Sequence, residues 1–430
     1  MTDIHGPLAR YAERMHTVIG DRHHVASPLC AWLLLALAGP ATAGADRAEL
    51  EDVLGTDVVN AGAAARVLLE APHPLVAAAT AVWHRPGLDV GALDRWRATL
   101  PGTTGTGPLP EQAALDDWAR EHTLGLIDQF PVSVTSETLL LLASALATRI
   151  SWQDPFDVTA AGDLGPASPW AARLRRILRS PERGHQCWIA GSRRAGDVAV
   201  HTASSGQVAT ADGQAGLVVV SVAATPDVVP VDVLATAYEL ATAAVHAPDG
   251  EEPRGKRRHK AALAGGRRSL FDLPLGDTAL WTLREEPTVT YAPDGREERI
   301  RAVLPCWSAE SRIELTEDSL GFPVATWAFG ELLNTPELAA EVVQKAVARY
   351  SRYGFEAAAV TGWAMATSMP PEGVARIAEL RFGHPYAVVA VATETRSDGT
   401  AGPWHGVPVF SAWVAEPDEL PEADLADRYE

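Results

Sequence analysis

With 430 residues the chain could hold one large domain or several ordinary ones, and either way it can bury a substantial core. A composition 47% hydrophobic and 21% charged excludes a disordered chain; 36 basic against 55 acidic residues, a formal charge of -19, argue for solubility and against a general nucleic-acid binder. Cys30, Cys187 and Cys306 are far apart, odd in number and without CxxC spacing, so no disulfide framework or zinc site is indicated and buried thiols are expected.

The first residues, MTDIHGPLARYAERMH, carry charges of both signs and no apolar core, so they do not read as a secretory signal. The apolar run 29–38 is shorter than the about 20 residues a bilayer demands. A cytoplasmic chain without a membrane partner is expected.

In chain order, residues 7–20 read as an amphipathic helix and 24–26 as a short strand before the break at Ser27-Pro28. An apolar helix follows, ended by Gly39-Pro40, then a second helix holding Arg47 and Leu54. The continuous apolar run 75–83, LVAAATAVW, predicts a strand buried on both faces. Leu115, Asp116, Asp117, Trp118 and Ala119, with Thr123, Gly125 and Ile127 behind them, mark a further helix and its end. Residues 139–152, LLLLASALATRISW, predict a long strand with Asp154-Pro155-Phe156 close behind. From about 160 to 300 no motif stands out, and short strands such as 217–223 between Gly-, Pro- and Asp-rich loops are expected. Leu304-Pro305-Cys306-Trp307 with Ile313-Glu314-Leu315, and Val343-Gln344-Lys345-Ala346, predict two strands. Phe382-Gly383-His384-Pro385-Tyr386 opens a final hairpin over 387–393 and 406–414, and the acidic tail 418–430 reads as loose.

Residues 354–371, GFEAAAVTGWAMATSMPP, fit no ordinary loop. They carry one charge, Glu356, and no proline before Pro370. At a strand's period of two, Phe355, Ala357, Ala359, Thr361, Trp363 and Met365 share one face and Glu356, Ala358, Val360, Gly362, Ala364 and Ala366 the other. The first face holds no charge, so the segment is compatible with the middle of a sheet.

Gly354-Phe355-Glu356-Ala357-Ala358-Ala359-Val360-Thr361 resembles the hinge of the serpins, Gly-Thr-Glu-Ala-Ala-Ala-Ala-Thr. Other stretches resemble the same family in the same order. The helix around Trp118 resembles Ile-Asn-x-Trp-Val, Thr-x-Gly-x-Ile. The 139–156 stretch resembles Asn-Ala-x-Tyr-Phe-Lys-Gly-x-Trp with Pro-Phe, and 304–307 resembles Leu-Pro-x-Phe. Residues 343–346 resemble Ser-His-Lys-Ala, and 382–386 resemble Phe-Asn-His-Pro-Phe. The resemblance implies an α+β fold: a single domain over 1–417 with a large mixed sheet, surrounding helices, further sheets and an exposed reactive loop at about 354–381.

It also implies a function. A target serine protease cuts the loop, and the cut loop enters the sheet as a new central strand, trapping the acyl-enzyme. The inhibitor contributes no catalytic residue, and no cofactor, metal or nucleic-acid partner is expected. The hinge falls on Gly354, Phe355, Glu356, Ala357, Ala358, Ala359 and Thr361. The reactive bond falls at Thr367-Ser368 or Ser368-Met369. The sheet-opening region falls on Ser27, Ser144 and Gln344, with serine and glutamine where the family has asparagine and histidine. No Arg or Lys lies between Gly354 and Glu372, so an elastase-like or subtilisin-like target is expected rather than a trypsin-like one; a shifted loop would instead expose Arg376. A monomer is expected.

Phe355 and Arg352 depart from inhibitory hinges, which have a small Thr or Ser and a Glu there. They leave open a non-inhibitory binding or structural protein of the same fold. Motifs for hydrolysis, GxSxG and HExxH, are absent from the sequence, and Gly102 to Gly107 lacks the GxGxxG spacing. Two basic clusters, Arg173, Arg175, Arg176 and Arg179, and Arg254, Lys256, Arg257, Arg258 and Lys260, read as a solvated helix face and a solvated loop, with a polyanion site as the alternative.

Overall fold

The computed structural model describes residues 4–87, 91–182, 184–246, 266–335, 338–354 and 372–425. α1 (His5–Ile19) buries Leu8, Tyr11, Ala12, Met15 and Ile19 at helical spacing. β1 (His24–Ala26) leads into α2 (Pro28–Ala38), which is buried all round except at Leu34. Ser27 caps α2 by accepting the Cys30 N–H, and Pro28 occupies the first turn, where no amide proton is missed. α3 (Gly44–Leu54) ends at Gly55 in the left-handed region, and α4 (Val58–Glu70) starts from the Asp57 cap. β2 (Ala77–His84), α5 (Gly91–Arg97), β3 (Gly105–Pro108), α6 (Gln112–His122) and β4 (Leu140–Ala147) complete the N-terminal third.

The middle of the chain is richer in long elements than its sequence suggests. It holds β5 (Asp157–Ala160), β6 (Arg176–Arg179), β7 (Gln186–Ser192), β8 (Gly196–Ser204), β9 (Val208–Thr210) and β10 (Gly213–Ala223). α7 (Pro230–His246), β11 (Gly276–Asp277), β12 (Trp281–Val289) and β13 (Arg296–Leu304) follow. The C-terminal part adds β14 (Trp307–Glu314), α8 (Phe322–Leu332), β15 (Val343–Tyr350), β16 (Glu372–Arg381), β17 (Tyr386–Arg396) and β18 (Pro408–Val414).

Four sheets result. One has the order β1-β18-β17-β10-β8-β7 with β9 on β10, and another β11-β12-β16-β13-β6-β5; β14-β15 and β3-β2-β4 are separate. β10 is buried on both faces, which is why Leu217 to Ala223 reads as an unbroken apolar run. Val220 and Val222 pack under α7 and α1, while Leu217, Val219 and Ala223 face the main core with α2.

Three expectations are corrected. Residues 372–381 are not exposed loop: β16 pairs antiparallel with β12 from Trp281↔Leu380 to Val289↔Glu372 and parallel with β13 on its other side. A strand flanked on both sides satisfies its backbone fully, and Ala375, Ala378 and Leu380 are buried. The tail is not loose as far as 425. The Asp418 N–H donates to Cys306 O, the Glu419 carboxylate accepts the amides of Arg175 and Arg176, and Leu420 and Asp424 are buried. The cluster at 173–179 does not form a helix face, since Arg176 and Arg179 belong to β6 and Arg179 is bridged to Asp163 and Glu379. The second basic cluster lies outside the described residues.

Candidate functional site

Among the described residues β4 pairs only with β2, along one edge, and β15 only with β14, from Trp307↔Tyr350 to Glu314↔Val343. β3-β2-β4 and β14-β15 are thus two separate pieces of sheet. Between the free edges of β4 and β15 lies a cleft of about 490 Å³. α2 supplies Cys30 and Leu34 beneath it, and Trp118 with Ile127 and Phe130 cover it from the side of α6. α6 is held over the sheet by an edge-on contact of Trp118 with Trp83 of β2, centroids 5.4 Å apart. Along the cleft the facing edges of these two strands have no ladder partner among the described residues.

Ser27, Ser144 and Gln344, which the resemblance assigns to sheet opening, converge on the start of α2. Gln344 on β15 accepts the Ser27 N–H and donates to Ser27 O, each at 2.8 Å, and is buried. Ser144 on β4 donates to Cys30 O at 3.1 Å. Ser27 in turn donates to Val409 O at 2.8 Å. Each edge is therefore pinned to the floor rather than to the other edge, and neither pin is broken when the edges are apart. Replacing the family's histidine with glutamine keeps one donor and one acceptor in a neutral group. The Cys30 thiol on this floor is pushed up to about 11 by burial and has no nucleophilic role at neutral pH.

The cleft closes at the end where β15 runs out. Ser151 bridges Gly354, the Trp152 N–H donates to Tyr353 O at 3.2 Å, and the Trp152 indole donates to Ser351 O at 2.9 Å. Gly354 has φ 74, and a Cβ there would lie 2.7 Å from Ile150 O, so only glycine fits this turn. Arg352 donates to Phe156 O at 3.0 Å and to Asp424 O at 2.9 Å, tying the residues before the hinge to the C-terminal segment. This tether has no signal in the sequence, because its acceptors are backbone carbonyls far along the chain.

Of the hinge only Gly354 is described; Phe355, Glu356, Ala357, Ala358, Ala359 and Thr361, and the bond candidates Thr367, Ser368 and Met369, lie outside the described residues. Arg376, the alternative for cleavage, is in β16, donating to Glu285 at 3.0 Å and to Leu270 O at 2.7 Å. Among the described residues no group of three His, Cys, Asp or Glu is arranged to hold a metal ion, and no helix is long and apolar enough to cross a membrane.

No family model matches the sequence, and no curated protein matches it. Solved structures do. Arabidopsis AtSerpin1 in its native stressed conformation is 14% identical with a TM-score of 0.56, covering 97% of this chain and 99% of that one. Cleaved Serpin 42Da is 14% identical with a TM-score of 0.58, covering 97% and 98%. Human thyroxine-binding globulin complexed with thyroxine is 11% identical with a TM-score of 0.58, covering 97% and 99%. The fold is that of the serpins, mixed α+β over nearly the whole chain.

Proposed function

We propose that the chain is a divergent serpin that inhibits serine proteases by suicide trapping, its loop after Gly354 being cut and inserted between β4 and β15. The observation that carries this reading is the pair of facing strand edges, unpaired among the described residues, whose chains meet at Gly354. β4 and β15 run the same way, since the chain beyond Ala147 meets the chain beyond Tyr350 at Ser151 and Gly354. A strand turning back at Gly354 is antiparallel to both and completes two ladders. Each strand is eight residues long, and each ladder bond contributes about 1 kcal/mol net. The sequence after the hinge suits that slot, with small Ala357, Ala358 and Ala359 and a single charge.

The proposed target is elastase-like or subtilisin-like. A trypsin-like pocket pairs a buried acid with Arg or Lys, and the first arginine after the hinge, Arg376, is held in β16. Incubation with elastase, subtilisin and trypsin followed by denaturing electrophoresis tests the proposal. A stable complex with either of the first two supports it. Cleavage of the inhibitor without complex by all three overturns it.

A second reading, a non-inhibitory protein of the same fold, is favoured by the hinge itself. Arg352 is anchored to Phe156 and Asp424, and Phe355 brings a ring to the first position that has to enter the cleft. Overpacking of this kind costs about 1–3 kcal/mol. If inhibition is slowed in this way, Phe355→Thr raises the fraction of encounters ending in trapped complex and Phe355→Arg lowers it. Equal trapping by Phe355→Arg and the parent shows that the hinge is misplaced.

A further inference from the structure

The hinge end of the cleft is held shut by more than the bridge at Gly354. The Phe156 N–H donates to Arg352 O at 3.1 Å, and Arg352 Nε donates back to Phe156 O at 3.0 Å. The residue two before the hinge glycine is thus bound to the chain beyond β4 through its backbone and its side chain at once. Another nitrogen of the same guanidinium donates to Asp424 O at 2.9 Å and to Leu425 O at 3.2 Å, and its Cζ lies over the Tyr353 ring, 4.9 Å from the centroid. A guanidinium presents its donors in a rigid planar fork, so holding it at the tail fixes the direction in which it reaches Phe156.

The tail carbonyls are placed by contacts of their own. The Asp418 N–H donates to Cys306 O at 2.8 Å, and the Asp418 carboxylate accepts from the Ser308 hydroxyl at 2.5 Å. The Glu419 carboxylate accepts the amides of Arg175 and Arg176 at 2.7 and 3.1 Å, and Leu420 is buried. A 3-10 turn over Glu422–Asp424 then delivers the Asp424 and Leu425 carbonyls to Arg352. Residues 418–425 lie beyond the stretch that resembles the serpins, and Arg352 stands where inhibitory hinges have glutamate. These two departures meet. An ionised glutamate has no proton to donate, so it could bond neither Phe156 O nor the tail carbonyls, whereas arginine bonds all three.

We propose that residues 418–425 form a strap that, acting through Arg352 as a positioning residue, clasps the hinge end of the cleft and restrains its opening. A strand entering between β4 and β15 from Gly354 has to part the seam where the Ser151–Gly354 bridge, the Trp152 N–H bond to Tyr353 O and the Arg352–Phe156 pair cross. The first two are neutral backbone contacts. The Arg352 bonds carry a charged donor and belong to the stronger class, and they are the part of the seam that the tail controls. The clasp is a property of the uncut protein; its effect on inhibition rests on the trapping reading.

Hydrogen exchange of the uncut full chain, read by mass spectrometry on the peptide spanning 151–156, tests this in the parent, Arg352→Ala, Arg352→Lys and Glu419→Ala. The Trp152 and Phe156 amides donate across the seam, so they report its opening. The expected result is exchange about tenfold faster in Arg352→Ala, faster also in Glu419→Ala, which loosens the strap without touching the hinge, and partly restored in Arg352→Lys. Unchanged exchange in Arg352→Ala overturns the clasp, and unchanged exchange in Glu419→Ala alone overturns the strap. An equal rise in the β7–β8 hairpin marks a general loss of stability and overturns both. In a second arm, elastase or subtilisin is added: a larger trapped fraction in the two alanine variants is expected. Faster exchange with no trapped complex in any variant upholds the clasp and tells against the trapping reading.

Discussion

Gly354 shows how much one position carries. Its left-handed φ and the 2.7 Å approach to Ile150 O leave no room for a Cβ, and it is here that the chain after β4 bridges the chain after β15. Gly354→Ala is expected to destabilise the protein by about 1–3 kcal/mol, read as a lower midpoint in urea unfolding. Two histidine pairs, one buried and one with His185 half-buried, are expected to respond to pH. His16 and His24 share a hydrogen bond of 2.9 Å, and His185 and His201 one of 3.0 Å. Burial holds His24 and His185 down at about 4, while their unfolded value is near 6.5. Between those values the unfolded chain binds protons that the folded chain refuses, so stability is full above pH 6.5 and falls as pH drops toward 4. Each residue accounts for a loss on the order of 3 kcal/mol. Unfolding midpoints from pH 7.5 to 4.5 check this, and His24→Gln with His185→Gln should flatten the slope.

At the scale of the element, β16 limits where the proposed loop could be cut. Its ladders with β12 and β13 and the anchoring of Arg376 by Glu285 and two backbone carbonyls keep the chain after 372 out of a protease's reach. Proteases extend their substrates, and a central strand cannot be extended away from its neighbours without losing ladder bonds on both sides. The C-terminal fragment released on cleavage should therefore begin at Ser368 or Met369, as measured by mass spectrometry; a start at Ile377 contradicts the placement of β16. Several elements were legible from the sequence because their burial is local. α2 is apolar without interruption and β1 sits against the Ser27-Pro28 break, whereas β2, expected to be buried on both faces, buries only Thr80, Ala81 and Val82. β12, β13 and β16 were not, because exposed charges such as Glu285, Glu286 and Arg299 alternate through them and their pairing partners are about a hundred residues apart.

At the scale of the whole molecule, a parted sheet is an incomplete one. The proposed insertion adds ladder bonds on two edges and buries the apolar lining of the cleft, so the cut, inserted form is the more stable. Clean cleavage between 364 and 370 should raise the melting temperature by tens of degrees. A melting curve unchanged by such cleavage rules out insertion whatever the fold.

By itself the sequence determined the core helices, the apolar strands and the order of motifs that announces the fold, since each of these depends on burial repeated along a short stretch. It also determined that Gly354 is followed by a segment without the charges or prolines that would bar it from a sheet. Only the tertiary structure decided that β4 and β15 stand apart, that Ser144 and Gln344 are pinned separately to the first turn of α2, and that Arg352 is tied to the C-terminal segment. The physical reason is that these contacts join a side chain to a backbone carbonyl or amide. Every residue carries those groups, so no pattern of side chains along the chain marks which of them will be used.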